Sequence, residues 1–362
     1  MLSNIKILDF SQLLPGPYAS MILADMGAEV IKIEPPSGDP IIQFDKLIDG
    51  KHITYLTLNR NKKIIRLNLK VESDLLALKE QIKNIDVIIE GFRPGTMDKF
   101  GLGYDQVKKI KSDIIYCSIT GYGQKGKYSS KAGHDINFQA LSGLASIMGN
   151  ANPILNGIQI SDIAGGSLHA VISILGAVIR KINQRIGGYI DISMTHSSYS
   201  LAILRIVEEA NEGAIPKNQD HVLNGNSIYD YYQTRDGRFI SIGALEPKFI
   251  YNLMNTLEVE NFNYPSDMIN SKIKKRISKK IAEKTLDEWK IIATDDNLCL
   301  EPVLNIRETR EFGPIADREI IIEIKDSSNN EIKIVGHPVI YNNFSPSYAT
   351  PIVLEAFELS SK

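Results

Sequence analysis

An α/β fold with a parallel sheet, followed by a second domain of mixed strands and helices, is predicted by three features of this sequence. Short β-rich apolar runs alternate with helix-length stretches through the first third. Two long apolar-periodic stretches flank one further strand in the middle of the chain. At 213–226 the composition turns polar, with glycine, asparagine and Pro216, which marks a linker.

Taken in order, 5–10 reads as a strand, 17–27 as a helix opened by Pro17, and 29–34 as a second strand, which makes a βαβ unit. Strands at 86–90 and 114–120 follow, separated by stretches such as the helical 72–84. A long helix is expected over 163–184, a strand over 189–194, and a second long helix over 196–212, the two helices being candidates for subunit contact. Beyond the linker, 229–234 and 239–244 flank Arg235-Asp-Gly-Arg238, a hairpin with Asp-Gly in its turn. Thr285-Leu-Asp-Glu288 is a capping box opening the helix of Trp289, the only tryptophan. A last hairpin is expected from 319–324 and 331–335.

Composition narrows the function classes. With 362 residues the chain can bury one or two cores, and 43% hydrophobic with 23% charged residues is ordinary for a globular protein. A formal charge of −2 gives no pull toward polyanions, so nucleic acid is not an expected partner. Two cysteines, Cys117 and Cys299, cannot build a disulfide framework or a cysteine zinc site, and they fit a reducing compartment. The first ten residues lack a basic leader, and no run of about 18 uninterrupted apolar residues occurs. The expectation is a cytoplasmic protein without a membrane partner or a cysteine-rich metal site.

Gly121-Tyr-Gly-Gln-Lys-Gly126 spells a dinucleotide fingerprint after a predicted strand. Its context argues otherwise: the residues that follow open no helix, and no acid lies between Ile136 and Ser161 to hold a ribose. Longer strings carry more information. They are Leu14-Pro-Gly-Pro17, Leu23-Ala-Asp-Met-Gly-Ala-Glu-Val-Ile-Lys-Ile-Glu34, Gly91-Phe-Arg-Pro-Gly95, Lys99-Phe-Gly-Leu-Gly103 and Ala132-Gly-His-Asp-Ile-Asn137. Asp162-Ile-Ala-Gly-Gly-Ser167, Asp191-Ile-Ser-Met194, Asp236-Gly-Arg238, Gly243-Ala-Leu-Glu-Pro-Lys-Phe249 and Glu301-Pro-Val303 continue the series. In this order, across nearly the whole chain, they resemble the family III CoA-transferases, and within that superfamily the α-methylacyl-CoA racemases.

The resemblance implies a Rossmann-like large domain from both ends of the chain (1–192 and 330–362) and a helix and linker over 193–226. It further implies a small domain at 227–315, a return linker at 316–329, and an interlocked homodimer. It implies an acyl-CoA thioester substrate, with coenzyme A belonging to the substrate and no metal or redox cofactor. His134 and Asp162 match the racemase groups that exchange an α-proton through an enolate, and Glu246 matches a glutamate that orients the histidine. Asp135 is an alternative for that orienting role. In the transferases the aspartate is instead a nucleophile that forms a mixed anhydride; the pair His134 and Glu246, and Leu14 where some transferases carry glutamine, favour racemisation. Leu13, Lys70, Gly91, Phe92, Arg93 and Lys99 match positions near the nucleotide, whereas Pro35 replaces an adenine-side arginine found in some relatives.

Bland roles compete with each of these. An aspartate before a helix is by default an N-cap, a lone histidine is a structural one, and Glu246 stands where acids favour a helix start. The basic run Arg60-Asn-Lys-Lys63 reads first as a solvated face. Met148 and Met194 are candidates for an acyl groove, methionine being also a common core filler. Backbone N–H groups at the start of the helix beyond Asp162 are the expected donors to an enolate oxygen. A non-catalytic acyl-CoA binding protein is the remaining alternative, and the complete His134, Asp162 and Glu246 set argues against it.

Overall fold

The computed structural model describes residues 1–149, 152–326 and 329–355. The chain divides into two compact units: Met1–Leu144 with Leu155–Ile206 and the chain from Glu319 onward, and Ala145–Ile154 with Val207–Arg318.

The first unit is built on a seven-stranded sheet. Its strands include β1 (Lys6–Asp9), β2 (Glu29–Glu34), β3 (Lys62–Arg66), β4 (Val87–Glu90), β5 (Ile115–Thr120) and β6 (Gly188–Ser193). They run in the order β3-β2-β1-β4-β5-β6, with the strand Ile352–Leu354 beside β3, and every pairing is parallel. This is the doubly wound Rossmann-like order, in which the chain moves outward from β1 in both directions. Alternate side chains serve two cores. Ile7, Val30, Ile89 and Cys117 pack with Ala19 and Leu23 of the helix Pro15–Asp25 and with Ile174 and Val178 of the helix His169–Gln184. Leu8, Ile31, Ile65 and Ile88 pack with Leu78, Ile82 and Val107 on the opposite face. Burial on both faces is why these strands read as continuous apolar runs.

β3 escaped sequence reasoning because it opens with the basic run. That run is internal: Arg60 and Lys62 are buried, and Arg60 grips Asp25 with Nη2–Oδ2 at 2.6 Å. Lys62 Nζ donates to the Pro17 carbonyl at 2.9 Å and to Asn59 Oδ1 at 3.1 Å, and it stands 3.5 Å from Asp9 Oδ2. Lys63 pairs with Glu29 at 2.6 Å. The solvated-face reading is therefore corrected, because each cation has a carboxylate on a neighbouring element.

The long helix spans Ser161–Gln184, 24 residues, apolar and long enough to cross a membrane by length and composition alone. Its inner face belongs to the core, whereas Ile172, Ile179 and Ile182 are 67%, 60% and 65% exposed. The following helix is broken at Ala202 into Met194–Leu201 and Ile203–Glu212. Near the C-terminus, Ile321–Lys325 and Glu331–Val335 form the expected antiparallel hairpin.

The second unit is α+β. Asp230–Gln233, Phe239–Ile242 and Leu300–Pro302 form an antiparallel sheet with Phe239–Ile242 in the centre. Helices Pro247–Thr256, Ser271–Ile281 and Leu286–Ile292 contribute Ile250, Ile277 and Trp289 to its core. The capping box forms as read, with Thr285 Oγ1 accepting from the Glu288 N–H at 3.3 Å and Glu288 Oε2 accepting from the Thr285 N–H at 2.7 Å. The buried indole of Trp289 donates to the Ile281 carbonyl at 2.8 Å, which satisfies its one polar atom.

Candidate functional site

The largest concentration of predicted residues surrounds a cavity of about 460 Å³ in the first unit, at the C-terminal ends of β1 and β4. Strand order reverses between β1 and β4, which is where open α/β sheets leave a crevice for ligands. His134, Asp162, Leu13, Gly91, Phe92 and Arg93 all line it. Met194 lines it too, while Met148 belongs to the second unit.

His134 is the N-cap of the helix Asp135–Leu141, with its backbone N–H held by Asn137 Oδ1 at 3.0 Å. Asp162 lies in the first turn of the segment Ser161–Leu168, which is wound as a π-helix. Glycine is what lets this wide segment sit close to its neighbour: a Cβ on Gly165 would stand 2.6 Å from Ser198 Oγ and 2.9 Å from the Met194 carbonyl. Ser167 Oγ, bonded to the Pro15 carbonyl at 2.6 Å, ties the same segment to the helix Pro15–Asp25.

Asp135 connects the two segments. Its Oδ1 accepts the backbone N–H of Asp162 at 3.0 Å, and Gln139 Nε2 donates to its other oxygen. The residue beside His134 thus fixes the backbone of Asp162. Burial pushes the Asp162 carboxyl up to about 7, and the neighbouring Asp135 carboxylate adds to the shift. At that value the side chain can both give and take a proton near neutrality.

Two expectations about Asp162 need correction. It is not the residue ahead of the helix, because Ile160 is the N-cap. The N–H groups expected to serve an enolate oxygen are engaged: that of Asp162 by Asp135, and that of Ile163 by the Gln159 carbonyl at 2.9 Å. The helix begins two residues earlier than its apolar period indicates, and these two first-turn donors are taken by the Asp135 side chain and the residue ahead of the N-cap.

A second cavity of about 180 Å³ shares Gln12 and Phe92 with the first. Pro35, Pro36, Leu67, Leu69 and Phe100 give it apolar walls, and Lys70 stands at its edge. Pro35 is therefore a wall of this slot. Lys99 is exposed at the end of the short helix Thr96–Lys99 and lies outside both cavities. None of Arg60, Lys62 and Lys63 lines either one.

Glu246 belongs to the second unit, where it occupies the N-cap of Pro247–Thr256 without a capping bond from its side chain, and it is exposed. That unit has a cavity of about 470 Å³ lined by Tyr229, Tyr231 and Ser241–Gly243, ending three residues before Glu246. The fingerprint-like loop opens no helix; instead the Gln124 N–H bonds the Asp191 carboxylate at 3.1 Å, placing an acid against a donor that a phosphate would need.

Sequence reasoning overlooked Tyr122, Ser129, Lys131 and Asn137, all of which line the main cavity. Lys131 sits three residues before His134 and brings a cation; proximity to the AGHDIN string was the available signal.

The model of the family described as CoA-transferase family III matches residues 2–352. The human succinyl-CoA:glutarate CoA-transferase is 31% identical over 97% of this chain and 82% of its own. Human alpha-methylacyl-CoA racemase is 32% identical over 85% of this chain and 78% of its own. A succinyl-CoA:mesaconate CoA-transferase from Haloarcula marismortui is 29% identical over 96% and 91%. Among solved structures, Rv3272 from Mycobacterium tuberculosis superposes with a TM-score of 0.83 at 25% identity, covering 98% of this chain and 96% of that one. A CAIB/BAIF family protein from Brucella suis gives 0.82 at 22% identity, covering 97% and 96%.

Proposed function

The chain belongs to CoA-transferase family III, the superfamily of CoA-transferases and acyl-CoA racemases, and on that premise we propose that it racemises 2-methylacyl-CoA thioesters. The observation that carries the proposal is the single cavity shared by His134 and Asp162, on segments joined through Asp135. An α-proton beside a thioester carbonyl is weakly acidic, so inverting its centre needs a base on one face and an acid on the other. A carboxyl raised to about 7 in the same cavity as an imidazole suits an exchange in which the two groups swap roles with the substrate enantiomer. One group takes the proton, the electron pair moves onto the thioester oxygen, and the second group returns a proton to the same carbon from the other face.

Coenzyme A is part of the substrate in this reading, and the apolar slot between Pro35 and Phe100 suits its adenine, with Arg93, Lys70 and Lys131 as cations for its phosphates. For Glu246 the orienting role rests on its motif; its side chain makes no capping bond that would account for it otherwise. The protein works as a homodimer in this reading, and the exposed Ile172, Ile179 and Ile182 are the surface a second copy would cover.

The second reading is a CoA-transferase with Asp162 as nucleophile, favoured by the two transferases similar over nearly the whole chain. It requires an ionised carboxylate to attack the acyl carbon and expel the thiolate of coenzyme A, after which the thiolate attacks the Asp162 carbonyl of the mixed anhydride and releases the donor acid. The acceptor carboxylate then displaces that thiolate through a second anhydride, and the thiolate recaptures the acceptor acyl group as the new thioester, which restores Asp162. Hydroxylamine separates the two readings. Incubation with an acyl-CoA should leave Asp162 unmodified if protons alone move, and a hydroxamate at Asp162 seen by mass spectrometry would establish the transferase.

A further inference from the structure

We propose that Asp39, buried against Lys32, is a positioning residue that holds the ligand-facing loop at Leu13. The inference rests on the acyl-CoA reading of the main cavity. Leu13 has φ +64, in the left-handed region where a side chain with a Cβ is disfavoured. Such a conformation persists only where the surroundings impose it, and at a cavity wall it is a candidate functional strain.

The imposing groups are visible. Asp39 Oδ1 accepts the Leu13 N–H at 3.0 Å and also the Ile41 N–H at 2.9 Å. Asp39 Oδ2 accepts from Lys32 Nζ at 2.7 Å, and the same ammonium donates to the Ser11 carbonyl at 3.0 Å. Both side chains are 0% exposed. One ion pair therefore grips the loop on both sides of Gln12, the residue that lines both cavities. Ser11 is fixed a second time, its N–H donating to Asp9 Oδ1 at 2.9 Å.

Stability alone is a poor reason for this arrangement. Replacing a buried ion pair by well-packed apolar side chains is often neutral or stabilising, whereas removing one partner leaves an uncompensated charge. What the apolar replacement could not supply is the acceptor for Leu13. Without it the loop relaxes toward ordinary backbone angles, and the wall between the two cavities moves.

The test removes both charges in two ways. Lys32→Met with Asp39→Asn keeps a side-chain acceptor for the Leu13 N–H, and Lys32→Met with Asp39→Leu does not. Dissociation constants for free coenzyme A, by calorimetry, should stay within about threefold of wild type in the first variant and rise about tenfold or more in the second. In turnover the second should raise KM with kcat changed less. Equal affinities in the two folded variants would overturn the inference, because loss of the ion pair as a structural element affects both alike. If the second variant does not fold, Leu13→Pro decides, since it lacks the N–H and fixes φ near −65° with the buried pair intact. The same rise is expected there in protein that still unfolds cooperatively, at a lower melting temperature for the lost hydrogen bond, and wild-type affinity would overturn the inference. Failure of wild type itself to bind coenzyme A would sink the acyl-CoA reading, a result distinct from variants that bind as wild type does.

Discussion

Asp162 is a carboxyl raised by burial, and that has a thermodynamic signature. Its proton is held more tightly folded than unfolded, so between about pH 4 and 7 the folded protein binds more protons and stability falls as pH rises. Asp162→Asn removes the titration. Its melting temperature should exceed that of wild type at pH 8, with the gap closing toward pH 4, and parallel profiles would refute the raised carboxyl. His134→Ala should lower kcat by a factor of roughly 10² to 10⁴, the range for loss of a general acid or base, with the melting temperature within a few degrees of wild type. Both residues were legible in the sequence because each stands in a long string. Asp135 was weighed only as an orienting group for the histidine; its hold on the Asp162 backbone joins segments 27 positions apart, which no local pattern reports.

At the scale of elements, most strands and helices of both units follow from apolar periodicity and turn chemistry, including the Asp-Gly hairpin and the Thr285 capping box. Several elements depart from the sequence pattern, two of them for definite reasons. β3 begins with cations whose carboxylate partners, Asp9, Asp25 and Glu29, lie on elements distant in sequence. The long helix starts earlier than its apolar period indicates, since a π-helical turn has a wider period than 3.6 residues. That turn positions Asp162, and glycine permits its close packing. Gly165→Ala should therefore cost about 1–3 kcal/mol in stability by overpacking against Ser198 and Met194. It should reduce activity on the order of a hundredfold by displacing Asp162. Chemical denaturation and steady-state assay together check it, and full activity would show that the π-turn does not set the geometry.

At the scale of the molecule, the sheet order explains why the site lies where it does. The chain winds away from β1 on both sides, and the ends of β1 and β4 diverge to leave the cavity. The parallel character of the sheet was readable, but the strand order was not, because each crossover's direction is decided by packing. Self-association is expected through the apolar outer face of the helix His169–Gln184. Light scattering should give twice the chain mass of 40.3 kDa, and Ile179→Lys with Ile182→Lys should shift it toward the single chain. An unchanged dimer in that variant would place the interface elsewhere.

Proton exchange at the α-carbon tests the central claim most directly. A single enantiomer of a 2-methylacyl-CoA, incubated with the protein in deuterated water, should gain deuterium at the α-position and yield both enantiomers, and His134→Ala and Asp162→Asn should each slow interconversion by roughly a hundredfold or more. Retention of the α-proton and of configuration, with transfer of coenzyme A to an added carboxylic acid, would contradict the account and assign Asp162 the nucleophile's role.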